Sequence, residues 1–258
     1  MVKFETEKEP PMRNRWLALA AVTLTSWLVV RALAEDPLPE PVFAKLVETD
    51  AAFLKKALAK GKLTDKVERK VKAVAFMIAA YAQSKEGKAT PAENALRDRA
   101  LALIKAVDGK QMAEAKALAA KLSLSVKPEP GGRMGVVPLQ GHLKFEYLMR
   151  LYSGEVIGGF GLERELESLV DLKGAVPADQ KDKALALAYK IAVISQLAQA
   201  YPSPGGAKVN EWRAFGKESH KAALALANAI RSGQDVGGIA DKLSMSCTKC
   251  HDVFKNAN

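Results

Sequence analysis

The sequence is short of the residues that do most enzymatic chemistry. Its 258 residues include two cysteines and three histidines, and aromatic residues make up 6%. There is no Ser, His and Asp arrangement, no phosphate-binding glycine loop and no cluster of metal ligands, so nothing marks the chain as an enzyme. Gly158-Gly159-x-Gly161 is the one glycine-rich stretch with a superficial likeness to a nucleotide fingerprint. No strand precedes it, and it reads as a helix break. No charge-free run reaches the ~20 residues needed to span a bilayer comfortably. No β–α–β alternation appears, which removes the context a thioredoxin-type cysteine pair requires.

What is abundant points to helices. Hydrophobic residues are 48% of the chain, dominated by Ala and Leu, with Lys frequent among the polar positions. Ala and straight-chain residues lose little entropy in a helix. The expectation is an all-α protein, long enough for two cores of about 100 residues each. Net charge is +10. The Lys and Arg residues are spread singly along helical segments without interleaved aromatics, which reads as solvated helix faces and not as a nucleic-acid surface. The charge can still steer the chain toward an acidic partner or membrane surface.

The N-terminus carries a leader pattern. Lys3, Lys8, Arg13 and Arg15 precede an apolar run from Trp16 to Val30, closed by Arg31. The run is nearer a signal-peptide core than a membrane span. Ala32-Leu33-Ala34 offers small residues for cleavage before Glu35, so residues 1–34 are expected to be a signal peptide or an uncleaved membrane anchor through residues 16–30. Removing them takes away five basic and three acidic side chains and leaves +8.

Beyond the leader, apolar residues recur at helical spacing. Phe43, Leu46, Val47, Leu54 and Leu58 mark a first helix, and Val67, Val71, Val74, Ile78 and Tyr81 a second, with a turn at Gly61 between them. A third helix follows Pro91 and ends near Asp108-Gly109; a fourth runs from Met112 to Ser125. The cluster Lys127-Pro128-Glu129-Pro130-Gly131-Gly132 cannot continue a helix. It assigns residues 35–126 to one helical bundle, 127–137 to a linker and 138–258 to a second bundle. In the second, helices are expected over Leu139 to Tyr152, Leu162 to Leu172, Ala178 to Tyr201, Asn210 to Ser232 and from Val236 onward. The halves resemble each other. Leu118 to Ser125 reads like Ile239 to Ser246, and Ala100 to Leu103 like Ala223 to Leu226. A duplication would give each half enough helices for a four-helix bundle.

Both cysteines of the chain fall in one motif, Cys247-Thr248-Lys249-Cys250-His251. C-x-x-C-H is the attachment pattern of a c-type haem. Two thiols three residues apart on a helical turn can each form a thioether to a haem vinyl group, while the adjacent His reaches the iron. A disulfide between the cysteines leaves His251 unexplained, and zinc would need further ligands that no second cysteine pair supplies. Ile239, Leu243, Cys247, Cys250 and Phe254 recur at helical intervals, which puts both thioether positions on the apolar stripe and the haem inside the bundle. At the matching positions the first half has Val126, Glu129 and Pro130, which can neither attach nor ligate a haem.

The motif lies within the last twelve residues and continues as Cys-His-Asp-Val-Phe-Lys. In this it resembles the cytochrome c prime family, class II c-type cytochromes, over residues 138–258; the first half would be a haemless repeat. The resemblance implies a four-helix bundle with the haem on its final helix, Cys247 and Cys250 as the covalent attachments and His251 as the proximal iron ligand. It also implies a haem face against the first helix of that bundle, where Met149 is the candidate sixth ligand, and it points to a homodimer. His142 and His220 read as surface or capping side chains. The expected function is an exported, periplasmic electron carrier exchanging electrons with a redox partner protein. The alternative is a module that binds or senses a small gas, nitric oxide or carbon monoxide.

Overall fold

The computed structural model describes residues 38–84, 90–124, 138–155, 158–206 and 208–254. The leader and the proposed linker therefore lie outside the described residues, as do Val126, Glu129 and Pro130. Among the described residues every regular element is helical, and no helix is long and apolar enough to cross a membrane.

The first half contains α1 (Glu40–Ala59), α2 (Asp65–Gln83), α3 (Pro91–Asp108) and α4 (Met112–Ala120). Local chemistry sets their ends. Thr64 caps α2, its hydroxyl accepting from Val67 N–H at 3.4 Å. Thr90 and Glu93 cap α3 reciprocally: Thr90 Oγ1 accepts from Glu93 N–H, and Glu93 Oε2 accepts from Thr90 N–H at 2.7 Å, which satisfies two donors the helix itself leaves orphaned. Each helix packs on the next, and α4 closes back onto α1.

The second half contains α5 (Phe145–Met149), α6 (Leu162–Val170), α7 (Lys181–Ala198), α8 (Val209–Ser232) and α9 (Gly237–Phe254), with single 3-10 turns at Ala178–Gln180 and Pro204–Gly206. Here α7 packs on α8, α8 on α9, α9 on α6 and α6 on α7. The long helix expected from Leu139 to Tyr152 shrinks to the five residues of α5. Leu139, Leu143, Leu148 and Leu151 are all buried, so the apolar spacing is genuine, but the backbone around it turns. His142 N–H bonds the Leu139 carbonyl, and beyond Tyr152 the chain folds back on itself at Gly159. A Cβ at Gly159 would stand 1.8 Å from the Ser153 carbonyl oxygen; only glycine allows that reversal. The glycine stretch thus does break the helix. The fourth helix also stops earlier than its spacing suggests, at Ala120.

The halves share one apolar cluster, from Leu38 through Leu243. α2 lies at its centre, touching α1, α3, α5 and α7, and every residue from Val71 to Gln83 is buried. α1 in turn reaches across to α7. One ion pair is buried in this seam: Lys190 Nζ of α7 lies 2.6 Å from Asp50 of α1, and Tyr81 of α2 donates to the other carboxylate oxygen at 3.2 Å. Burial pushes the Asp50 carboxyl above the usual range, while Lys190 and Tyr81 pull it back.

Candidate functional site

The start of α9 is fixed by Asp235, whose carboxylate accepts from Gly237 N–H at 3.0 Å and Gly174 N–H at 3.3 Å. At Gly237 a Cβ would lie 2.8 Å from the Leu172 carbonyl oxygen, so glycine lets the end of α6 close onto α9. Further along, Ser246 Oγ donates to the Leu243 carbonyl and lies 2.9 Å from Ser219 Oγ of α8, a buried hydroxyl pair that sets the rotation of α9 against its neighbour. The C-terminal end is held by rings. Phe254 meets Trp212 edge-on at 5.1 Å and Phe215 at 6.2 Å, and Trp212 meets Phe145 of α5 at 5.3 Å.

Between these anchors stand Cys247, Cys250 and His251. At 3.6 residues per turn, Leu243, Cys247, Cys250 and Phe254 project to one face. Leu243 is 0% exposed and Phe254 5%, yet the two cysteines between them are only partly buried and His251 is exposed. The helix face is sealed before and after the motif and partly exposed at it. Both thiols are free, and the His251 imidazole forms no hydrogen bond or ion pair within the described residues. The stripe therefore points to the core as its spacing suggests, but at the motif the covering is incomplete, and the thiols sit at the rim of the core.

The surroundings hold the thiols neutral. Burial pushes Cys247 up to about 11, with Cys250 and the Glu163 carboxylate adding to the rise and the Ser246 hydroxyl opposing it. Cys250 is raised by burial. Tyr152, half-buried, is held well above its ordinary value, first by burial and then by Cys247, while a hydrogen bond with Ser195 opposes the shift. Tyr152 and Glu163 are joined to each other, Glu163 N–H donating to the Tyr152 carbonyl at 3.1 Å. Neither residue stands out in the sequence; they come to the motif only through the fold-back at Gly159.

The remaining candidates lie elsewhere. Met149 ends α5, half-buried against the shared core, on a helix whose main neighbours are α2 and α7. His220 is half-buried and its Nδ1 lies 2.9 Å from the Ala192 carbonyl oxygen, tying α8 to α7. His142 sits in the turn before α5. Among the described residues, no three His, Cys, Asp or Glu side chains converge as a chelating group. The two thiols and the imidazole share a single turn, the thiols partly exposed and the imidazole exposed. No family model, no curated protein and no solved structure matches the chain.

Proposed function

We propose that the chain is an exported c-type cytochrome of two tandem four-helix units, the second carrying one haem on Cys247 and Cys250 with His251 as the iron ligand, and that it transfers electrons. The observation that carries this reading is the contrast on the inward face of α9: both thiols are partly exposed where Leu243 and Phe254, at equivalent positions, are sealed. When bound, the haem supplies a one-electron couple. The chain's own part is to hold the attachment turn still. Ser246 and Ser219 fix the rotation of α9, the Phe254–Trp212–Phe145 rings fix its end, and the aliphatic wall around Leu243 keeps water from that side.

A gas-binding role is the second reading. Of the segment expected to supply the sixth ligand, the residue beside Cys247 is Tyr152, while Met149 belongs to the core packing of α5. An iron without a Met149 ligand would keep a coordination position for nitric oxide or carbon monoxide.

The full chain, expressed with its leader beside a c-type maturation system, tests both. The expected result is one haem per chain that survives acid–acetone extraction; haem that extracts, or none, would overturn the proposal. A low-spin ferrous spectrum unmoved by carbon monoxide supports electron transfer, and a high-spin spectrum that shifts supports gas binding. Recovery of the protein from the periplasm tests export.

A further inference from the structure

We propose that the first half governs access to the turn carrying Cys247, through a joint that Lys70 of α2 makes with the loop between α5 and α6. This deepens the haem reading and rests on it for its meaning, though the joint can be tested without haem. Lys70 Nζ donates to the Gly159 carbonyl at 2.6 Å and stands 4.1 Å over the ring of Phe160. Phe160 also meets Phe53 of α1 edge-on at 5.3 Å, and Lys190 of α7 lies 4.8 Å over the same ring. Two ammonium groups against one ring, with a carbonyl as the hydrogen-bond acceptor, clamp the loop between the halves.

From the clamp the coupling runs through the backbone. Phe160 N–H bonds the Leu151 carbonyl at 2.9 Å, Gly161 N–H the Ser153 carbonyl at 2.8 Å and Glu163 N–H the Tyr152 carbonyl at 3.1 Å. Residues 151–153 and 160–163 are therefore tied together, and Tyr152 cannot shift without the first turn of α6. α6 packs directly on α9. Lys70 is a positioning residue: it touches nothing in the motif and acts through Tyr152 and Glu163, which interact with Cys247.

The test uses the haem-free full chain and reads how fast iodoacetamide alkylates Cys247 and Cys250, resolved by peptide mass spectrometry. Lys70→Met is expected to raise the Cys247 rate on the order of tenfold, the factor matching a lost charge-assisted hydrogen bond of about 1.4 kcal/mol. Cys250 keeps the parent rate, and Lys70→Arg, which still donates and stacks, restores Cys247. An unchanged Cys247 rate, or equal rises at both cysteines that mark general loosening, would overturn the joint. In the haem-loaded chain Lys70→Met is expected to raise the carbon monoxide association rate, and Lys70→Arg is not. A chain that takes up no haem defeats the haem reading while leaving the thiol comparison intact.

Discussion

The last helices of the two halves pack alike and end differently. In α4 and the turn after it, Ala115, Ala119 and Leu122 are buried; in and just before α9, Val236, Ala240 and Leu243 are buried at the same spacing. The matched segments Leu118 to Ser125 and Ile239 to Ser246 thus share a burial register, and Ala100 and Leu103 of α3 are buried like Ala223 and Leu226 of α8. Then the two diverge. α4 closes with Lys121 and Leu122 N–H groups turning back onto Leu118 and Ala119, whereas α9 runs on from Leu243 to Phe254. Cys247, Cys250 and His251, the residues on which the haem proposal rests, lie in that extension. One burial register serves both halves, and the proposed haem turn is placed where the second helix outruns the first.

The sharpest way to break the comparison is to disarm the extension. Cys247→Ala with Cys250→Ala is expected to abolish covalent haem entirely, measured by the extraction assay, and to leave the helical content of the chain unchanged by circular dichroism. Next in size is the seam. Asp50→Ala leaves the Lys190 ammonium buried without its partner, at a cost of about 3–5 kcal/mol. Because the pair joins the halves, denaturant titration of this variant is expected to split one unfolding transition into two. Asp50→Asn with Lys190→Met, which removes both charges together, is expected to cost less than the single substitution.

Equivalent core positions give a third test. Leu122→Ala and Leu243→Ala each empty a fully buried site and are each expected to cost roughly 2–5 kcal/mol, read from denaturant midpoints. Only Leu243→Ala should alter the absorption spectrum of the haem-loaded chain, because only that leucine shares its helix face with the attachment turn. A spectral change from Leu122→Ala would mean that the halves are coupled far more tightly than the Lys70 joint implies.

Much of this organisation is readable from residue order, and the failures have identifiable causes. The Gly61 turn and the Asp108-Gly109 stop are local signals, and α1, α2 and α3 end where such signals fall. A stripe with one buried side is the natural reading of Val67, Val71, Val74, Ile78 and Tyr81, yet from Val71 onward α2 is buried all round. The unbroken apolar run from Ala73 to Ala82 was the sign, its alanines letting neighbours close on every side. Asp50 was also visible in principle, an acid between Val47 and Leu54 within an apolar stripe, but its partners come from α2 and α7 and have no local signature. The motif itself is fully legible because attachment needs adjacent residues. Tyr152 and Glu163 are not, since a backbone reversal brings them to the motif and leaves no periodicity.

The smallest effects separate the halves by pH. In the first half, burial alone would raise the Glu68 carboxyl, but the ammonium groups of Lys110, at 2.5 Å, and Lys72, at 3.3 Å, hold it below the usual range. A depressed acid stabilises the fold above its unfolded value of 4.5 and loses that contribution as pH falls through the lower folded value. Glu68→Gln should remove a few tenths to about 1 kcal/mol of stability at neutral pH and flatten the acid limb. In the second half the sign reverses. The Cys247 thiol of the haem-free chain is raised from 9.0 to about 11, so its contribution is complete below pH 9.0 and is lost as pH climbs through about 11. The thiol is partly exposed, and solvent screening brings the effect to the order of 1 kcal/mol. Burial lowers Lys72 but Asp108 and Glu68 hold it above its ordinary value, and it loses its contribution on the same alkaline side, so the control is Cys247→Ala with Cys250→Ala, which keeps the lysine. A thioether sulfur cannot release a proton. Haem attachment and the double substitution Cys247→Ala with Cys250→Ala should therefore erase the same part of the alkaline loss, since both raised thiols are removed in each case, measured by urea titration between pH 8 and 11, and an alkaline limb identical with and without haem would show that these sulfurs are not where the haem is bonded.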